Sequence, residues 1–278
     1  MSPLNSCSRV SRRLITLAAL AILVLAPPLA AQQTLTVFAA ASLGDAYRSL
    51  GIKFQATHPG TTVQFNFAGS QQLVLQLSQG AKADLFASAD ERWMQVAVDS
   101  GMIADHPVVF AHNRLVVIAP RGNPAGLERL QDLARAGVKV VLAADAVPVG
   151  HYSRQVLQKL SAAPGFGPRF GAQVLANTVS YEDNVKGIVA KVQLGEADAG
   201  MVYRSDATGP IASQVRVLDI PEQANVIATY PVGVLKASGA PELARAFLDL
   251  VLSPAGQSLL IRFGFDRADA AAASGTTP

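Results

Sequence analysis

The chain has 278 residues, of which 50% are hydrophobic and 15% are charged, so an intrinsically disordered protein is excluded and one large or two medium cores are expected. The formal net charge of +3 comes from three arginines in residues 1–31, a stretch without acidic residues; beyond it, 20 basic residues equal 20 acidic ones. A neutral chain lacks the basic surface of nucleic-acid-binding proteins, and no nucleic-acid partner is expected.

The first element along the chain has the pattern of an export signal. Three arginines precede an apolar run over residues 14–25, and the small residues Ala30 and Ala31 follow. We predict a cleaved signal peptide over residues 1–31 and a periplasmic mature protein. The alternative is an uncleaved membrane anchor, which is disfavoured because a spanning helix needs about 20 apolar residues. The only cysteine, Cys7, lies in this segment, so the mature protein is expected to have no disulfide.

Short strand-like segments alternate with amphipathic helical segments through the rest of the chain. Apolar residues alternate at residues 35–37 and 63–67. Apolar runs at residues 115–119 and 138–143, the second interrupted by Lys139, are typical of buried parallel strands. The spacing that buries one face of a helix occurs at residues 73–77, 156–160 and 185–192. This alternation predicts an α/β fold with mostly parallel sheets.

Four of the predicted strands run directly into the start of a helix through small or polar residues. These junctions lie at residues 37–43, 65–73, 147–153 and 181–185. Ligands of open α/β sheets bind at the carboxyl ends of strands, where helix N-termini present free N–H groups and partial positive charge. Convergence of several such helix starts predicts an anion site that needs no charged side chain.

The candidate residues in and near these segments also have structural interpretations. Ser42 and Ser88 each precede an acidic residue by three positions, which is the spacing of a capping box. Ser70 lacks that spacing, so its pattern favours neither role. Tyr203 ends an apolar run and fits a half-buried core residue.

Signatures of catalysis and of metal binding do not occur in the sequence. The four histidines show no H-E-x-x-H spacing, and the G-x-S-x-G, Walker and G-x-G-x-x-G patterns are missing. Asp84, Asp90, Glu182 and Asp183 are interpreted as caps and surface charges. We therefore expect no enzyme, no cofactor and no residue that ligates a metal ion directly.

A series of short motifs occurs in a fixed order between residues 34 and 266. They read VFAAASL at 37–43, FAGS at 67–70, AKADLFASAD at 81–90, VPVGHY at 147–152, NVKG at 184–187 and GMVYRSDA at 200–207. In order and content the set resembles the periplasmic molybdate-binding proteins of molybdenum ABC transporters. The resemblance implies a monomeric solute-binding protein that captures molybdate, and also tungstate, and delivers it to the membrane permease of an ABC importer.

The resemblance also implies a type II periplasmic-binding-protein fold. This fold is α/β and two-lobed, with mixed, mostly parallel sheets and helices on both faces. Lobe 1 is expected at residues 32–112 and 228–278, and lobe 2 at residues 113–227. The ligand lies between the lobes, which are expected to close on it.

By the same resemblance, five residues are expected to bind the oxyanion. Ser42 and Ser70 would contribute hydroxyl and backbone N–H groups, Val149 and Val185 backbone N–H groups, and Tyr203 its phenol. Every one of these groups is a hydrogen-bond donor. The bound ligand would be molybdate or tungstate, held without any direct metal-ion ligand.

Two departures from the family and the chemistry of the ligand leave alternatives open. Val149 stands where the family often has alanine, and Gly69 where serine is more usual.

Molybdate is a fully ionised dianion, whereas phosphate near neutral pH retains a proton. A site made only of donors leaves that proton unpaired, which costs about 1–3 kcal/mol. Sulfate must be excluded by size. The alternatives are a same-fold receptor for another anion such as sulfate, an exported enzyme using the cleft, and a structural module.

Overall fold

The computed structural model describes residues 32–269, so the predicted signal peptide at residues 1–31 lies outside the described residues. Within residues 32–269 the chain forms ten strands and eight α-helices, which confirms the α/β class. The strands are β1 (Gln33–Ala40), β2 (Thr61–Ala68), β3 (Leu85–Ala87), β4 (Val108–Pro120), β5 (Val140–Ala143), β6 (Thr178–Glu182), β7 (Ala199–Tyr203), β8 (Val215–Asp219), β9 (Ile227–Val234) and β10 (Asp266–Arg267). The helices are α1 (Gly44–Thr57), α2 (Ser70–Ser78), α3 (Glu91–Asp99), α4 (Pro148–Ala162), α5 (Phe170–Ala176), α6 (Val185–Gln193), α7 (Pro241–Leu252) and α8 (Pro254–Arg262).

The strands form a mixed sheet in the order β2-β1-β3-β9-β4-β7-β5-β6, with β8 and β10 also paired to β4. Parallel pairs occupy the two ends, where β1 lies between β2 and β3, and β5 between β6 and β7. The centre is antiparallel because β4 and β9 run in opposite directions. Parallel pairing is thus concentrated at the two ends of the sheet.

The long strand β4 changes its partner halfway along its length. Arg114 pairs with Ile227 of β9, and the next residue, Leu115, pairs with Tyr203 of β7. Further along, β4 also pairs with β8. The central strand β4 therefore joins the half of the sheet that contains β9 to the half that contains β7.

The core extends through both ends of the sheet. One hydrophobic cluster runs from Leu35 in β1 to Phe265 before β10, and a smaller cluster around Phe86 packs α2 and α3 against β3. Strands β5 and β7 are buried along their whole length, as expected for strands covered on both faces. The helices predicted at residues 73–77, 156–160 and 185–192 are confirmed by α2, α4 and α6, and the two apolar runs form the buried strands β4 and β5. The parallel pairing predicted for residues 115–119 is wrong, because β4 pairs antiparallel with β7 and β8.

All four predicted strand-to-helix junctions are present. Strand β1 leads through a short 3-10 helix (Ala41–Leu43) into α1, β2 leads into α2, β5 into α4 and β6 into α6. The connecting segments are at most a few residues long. The carboxyl ends of the strands thus deliver helix N-termini to one region of the molecule.

Candidate functional site

A small cavity lies where these helix N-termini meet. Its empty space, including the space at its mouth, is about 210 Å³. Among the described residues, its lining contains no charged side chain. The lining consists of Ala40, Ala41, Ser42, Ala68, Gly69, Ser70, Ala89, Val147, Pro148, Val149, Asn184, Val185 and Tyr203.

The cavity brings together every residue that the sequence predicted for the anion site. All five residues line it, although the first and the last are 161 positions apart in the chain; they are Ser42, Ser70, Val149, Val185 and Tyr203. All five are buried. The placement makes their common role as donors to one small ligand geometrically feasible.

The helix ends at the cavity keep backbone donors available. The N-cap positions of α2 and α4 make no side-chain cap hydrogen bond. In α6, the side chain of Asn184 accepts from the N–H groups of Lys186 and Gly187, so this cap does not engage the N–H of Val185. The first N–H groups of a helix have no acceptor within it and carry partial positive charge. The cavity is therefore suited to an anion without any cationic side chain.

The position of the Val149 amide depends on the close approach of Gly150, the next residue, to the end of β5. Pro148 occupies the first position of α4, where its missing N–H costs nothing. A Cβ on Gly150 would lie only 2.1 Å from the Ala144 carbonyl oxygen. Glycine at this position therefore lets α4 begin directly against the end of β5 and presents the Val149 N–H at the cavity.

Ser42 is not a helix cap. Its Oγ lies 3.0 Å from the phenol oxygen of Tyr230, a buried hydrogen bond. Helix α1 has Leu43 as its N-cap and no side-chain cap hydrogen bond. The capping-box interpretation of Ser42 is therefore wrong.

Ser70 is fixed by the chain behind it. The Ala89 N–H donates to its Oγ at 3.0 Å, which leaves the serine hydrogen for another acceptor.

The capping-box interpretation of Ser88 is also wrong, because Asp90 caps α3 by accepting from the Trp93 N–H at 2.9 Å. Ser88 instead accepts from the Asp90 N–H at 3.2 Å.

Tyr203 presents a buried phenol at the cavity. It is the last residue of β7, and only 1% of its surface is exposed, so it is more buried than the half-buried core residue expected from the pattern. Its hydroxyl has no hydrogen-bond partner among the described residues. Burial raises the pKa of the phenol well above its usual value, so the hydroxyl stays protonated and remains a donor.

A charge network around the buried carboxylate of Asp206 was missed in the sequence. Lys186 Nζ lies 3.0 Å from Asp206 Oδ1 and 3.3 Å from Asp45 Oδ2. Burial acts to lower the pKa of Lys186, but the charges of Asp206 and Asp45 outweigh it and the pKa is raised. The only sequence signal was that Lys186 and Asp206 fall inside the NVKG and GMVYRSDA motifs.

Further polar contacts join α2 and α3 to the loops that precede α6 and α4. The side-chain amides of Gln71 and Gln72 donate to the carbonyl oxygen and the carboxylate of Asp183, each at 2.8 Å. The indole N–H of Trp93 donates to the Ala146 carbonyl oxygen at 2.8 Å. These contacts hold opposite walls of the cavity together.

The remaining acidic candidates have structural partners. Asp84 accepts from the Thr36 N–H at 2.7 Å and the Ser238 hydroxyl at 2.7 Å, and Glu182 pairs with Lys191 at 2.7 Å. Within residues 32–269, no group of three or more His, Cys, Asp or Glu residues is arranged to hold a metal ion. In the same range, no helix is long and apolar enough to cross a bilayer.

Known proteins resemble the chain in sequence and in fold. The model of the family described as bacterial extracellular solute-binding protein matches residues 35–266. The molybdate-binding protein ModA of Mycobacterium bovis is 40% identical over 240 residues, covering 86% of this chain and 87% of the relative.

Solved structures share the architecture at lower identity. The periplasmic molybdate-binding protein of Azotobacter vinelandii has a TM-score of 0.72 at 20% identity, covering 83% of this chain and 98% of that one. The sulfate-binding protein SubI of Mycobacterium tuberculosis has a TM-score of 0.76 at 18% identity, covering 87% of this chain and 89% of that one. With a family match over most of its length and a relative at 40% identity, the chain belongs to the bacterial extracellular solute-binding proteins.

Proposed function

We propose that the protein captures molybdate in this cavity and delivers it to an ABC importer. The observation that carries the proposal is a small cavity with donors from several chain segments and no charged lining among the described residues. The ModA relative at 40% identity is a molybdate-binding protein. The proposed ligand donors are Ser42, Ser70, Val149, Val185 and Tyr203.

The donor set favours a fully deprotonated dianion. The hydroxyl of Ser70 and the phenol of Tyr203 are free to donate, and the helix amides can only donate. An anion that retains a proton needs an acceptor, and an unpaired buried group costs about 1–3 kcal/mol. This favours molybdate or tungstate over phosphate.

Sulfate is the second candidate ligand. It has the same charge as molybdate, and a sulfate-binding protein shares this fold. Its shorter bonds leave gaps in a cavity sized for molybdate, so discrimination depends on the rigidity of the walls. Tungstate, nearly equal in size to molybdate, is expected to bind similarly.

The chain divides, on this proposal, into lobe 1 at residues 32–112 and 228–278 and lobe 2 at residues 113–227. The partner change of β4 next to residue 113 supports the first boundary. Contacts such as Gln72 with Asp183 and Lys186 with Asp45 would then join the lobes when the ligand is enclosed. Opening would break them and expose the donors.

The same proposal covers location and partners. The export pattern at residues 1–31 and the family of extracellular solute-binding proteins support a periplasmic location for the mature protein. It would act as a monomer, without a cofactor and without catalysis, and its protein partner would be the membrane permease of the importer.

Calorimetric titration of the mature chain in a buffer without phosphate tests the function. Molybdate and tungstate should bind tightly with one-to-one stoichiometry, while sulfate and phosphate give no heat of binding. If sulfate alone gives heat of binding, sulfate replaces molybdate as the proposed ligand. A folded, ligand-free chain that binds none of the four would overturn the proposal.

A further inference from the structure

Behind the cavity, the hydroxyl of Ser42 meets a second hydroxyl. Ser42 lines the cavity, whereas Tyr230 does not; the two oxygens are 3.0 Å apart and lie 188 positions apart in the chain. Tyr230, in β9, is fully buried. The distance leaves open which oxygen donates.

The direction of this hydrogen bond decides what Ser42 offers a ligand. A serine hydroxyl has one hydrogen and two acceptor positions. If Ser42 donates to Tyr230, only its lone pairs face the cavity. If Tyr230 donates to Ser42, the serine hydrogen is available to an anion.

The burial of Tyr230 selects the second arrangement. Tyr230 is fully buried, and among the described residues its hydroxyl has no hydrogen-bond acceptor besides Ser42 Oγ. If Tyr230 accepted from Ser42, its own hydrogen would be buried without an acceptor, at a cost of about 1–3 kcal/mol. If Tyr230 donates, its hydrogen is paired and the Ser42 hydrogen faces the cavity. Tyr230 is therefore the donor.

Tyr230 also keeps that hydrogen. Burial raises the pKa of its phenol well above the usual value, so the group remains a donor at neutral pH. The hydrogen bond therefore runs from the Tyr230 hydroxyl to Ser42 Oγ, and the Ser42 hydrogen is left at the cavity.

We propose that Tyr230 is a positioning residue that fixes Ser42 as a hydrogen-bond donor and thereby restricts the site to fully deprotonated tetrahedral anions. The inference rests on the proposed function of the cavity. Ser70 is also fixed as a donor, because its Oγ accepts from the Ala89 N–H. That N–H belongs to the backbone and cannot be removed by changing a side chain, whereas the Tyr230 hydroxyl can be removed by substitution. Without the Tyr230 hydroxyl, Ser42 would be free to rotate and to accept a hydrogen bond from the P–O–H group of an anion such as hydrogen phosphate.

A double-mutant cycle separates positioning from general structural damage. Tyr230→Phe keeps the ring packed against Phe265 and Tyr203, whose centroids lie 5.4 and 5.7 Å away. In the wild-type background it should weaken molybdate binding about threefold to tenfold, the scale of one hydrogen bond. In the Ser42→Ala background it should change the affinity less than about twofold.

The control is Tyr47→Phe. Tyr47 is another fully buried tyrosine, whose hydroxyl has no partner among the described residues and which does not line the cavity; this variant should leave the affinity unchanged. Tyr230→Phe should also narrow the affinity ratio between molybdate and hydrogen phosphate, which Tyr47→Phe should not do.

The wild-type chain is titrated first, with molybdate and sulfate, and the cycle is run with the anion that binds. Equal losses from Tyr230→Phe in both backgrounds, or no loss in the wild-type background, would overturn the positioning role while leaving the proposed function intact. A folded wild-type chain that binds neither anion would overturn both.

Discussion

Replacing Tyr203 with phenylalanine should affect ligand affinity and protein stability in opposite directions. The Tyr203 hydroxyl is buried at the cavity without a protein partner in residues 32–269. A buried polar group without a partner costs about 1–3 kcal/mol, so removing it should leave the free energy of unfolding unchanged or raise it by about 1 kcal/mol. The same change removes a donor to a charged oxygen.

The expected loss of affinity follows from the charge of the ligand. A hydrogen bond to a charged group contributes about 1.5–3 kcal/mol, which corresponds to about 10-fold to 150-fold in the dissociation constant. Calorimetric titration with molybdate measures the affinity, and urea unfolding without the anion measures the stability. Most single substitutions lower the free energy of unfolding, so a loss of affinity without a loss of stability would point to a ligand donor.

The matched control is Tyr47→Phe. Its ring packs against Phe110 and Phe247 at 5.9 Å each, away from the cavity. This variant should show a similar change in stability and no change in affinity. If Tyr203→Phe loses less than about threefold in affinity, or no more than the control, the phenol is not a ligand donor.

Three further changes test the walls of the cavity and its protonation. Lys186→Met should lower the free energy of unfolding by about 3 kcal/mol in urea titrations, because Asp206, whose side chain is fully buried, loses its charged partner. Gly69→Ala should weaken molybdate binding by at least about tenfold in calorimetry, because the added Cβ would lie 2.5 Å from the Asp183 carbonyl oxygen. Molybdate affinity should stay constant from about pH 7 to about pH 9, because burial raises the pKa of Tyr203 and a raised pKa keeps the donor proton until the pH passes it.

Each of these expectations has a control or a contrary outcome. Arg245→Met breaks an exposed ion pair with Asp105 and should cost less than about 1 kcal/mol; an equal cost for Lys186→Met would mean that the pair with the buried Asp206 does not stabilise the fold. Gly239→Ala adds a Cβ that meets nothing within 4 Å and should leave the affinity intact. An affinity that falls tenfold for each pH unit in this range would mean that a donor deprotonates.

The local pattern of apolar and polar residues predicted the parts of the site that lie at strand-to-helix junctions. The junctions at the starts of α2, α4 and α6 were visible as apolar runs followed by small or polar residues, and helix geometry supplies the donors there. The identity of the five donor residues came from the resemblance to a family. Pattern alone left Ser70 and Tyr203 open between structural and binding roles.

Contacts between segments that are distant in the chain could not be predicted from local sequence patterns. The capping-box pattern of Ser42 was overruled by Tyr230, 188 positions away, because cap spacing describes only a local alternative for the hydroxyl. The antiparallel centre of the sheet was hidden for the same reason, since β4 and β9 pair across more than 100 intervening residues. The ion pair of Lys186 with Asp206 likewise needs the tertiary fold.

Two of the proposed donors, at Val149 and Val185, belong to the main chain. Any residue except proline would present the same N–H at these positions, so these two donors are a property of the fold. The side chains at the same positions are buried beside the cavity and determine how much room remains. Charge recognition and size selection can therefore change independently: exchanging alanine and valine at residue 149 would resize the cavity for a smaller or larger oxyanion while every hydrogen bond to it stayed in place.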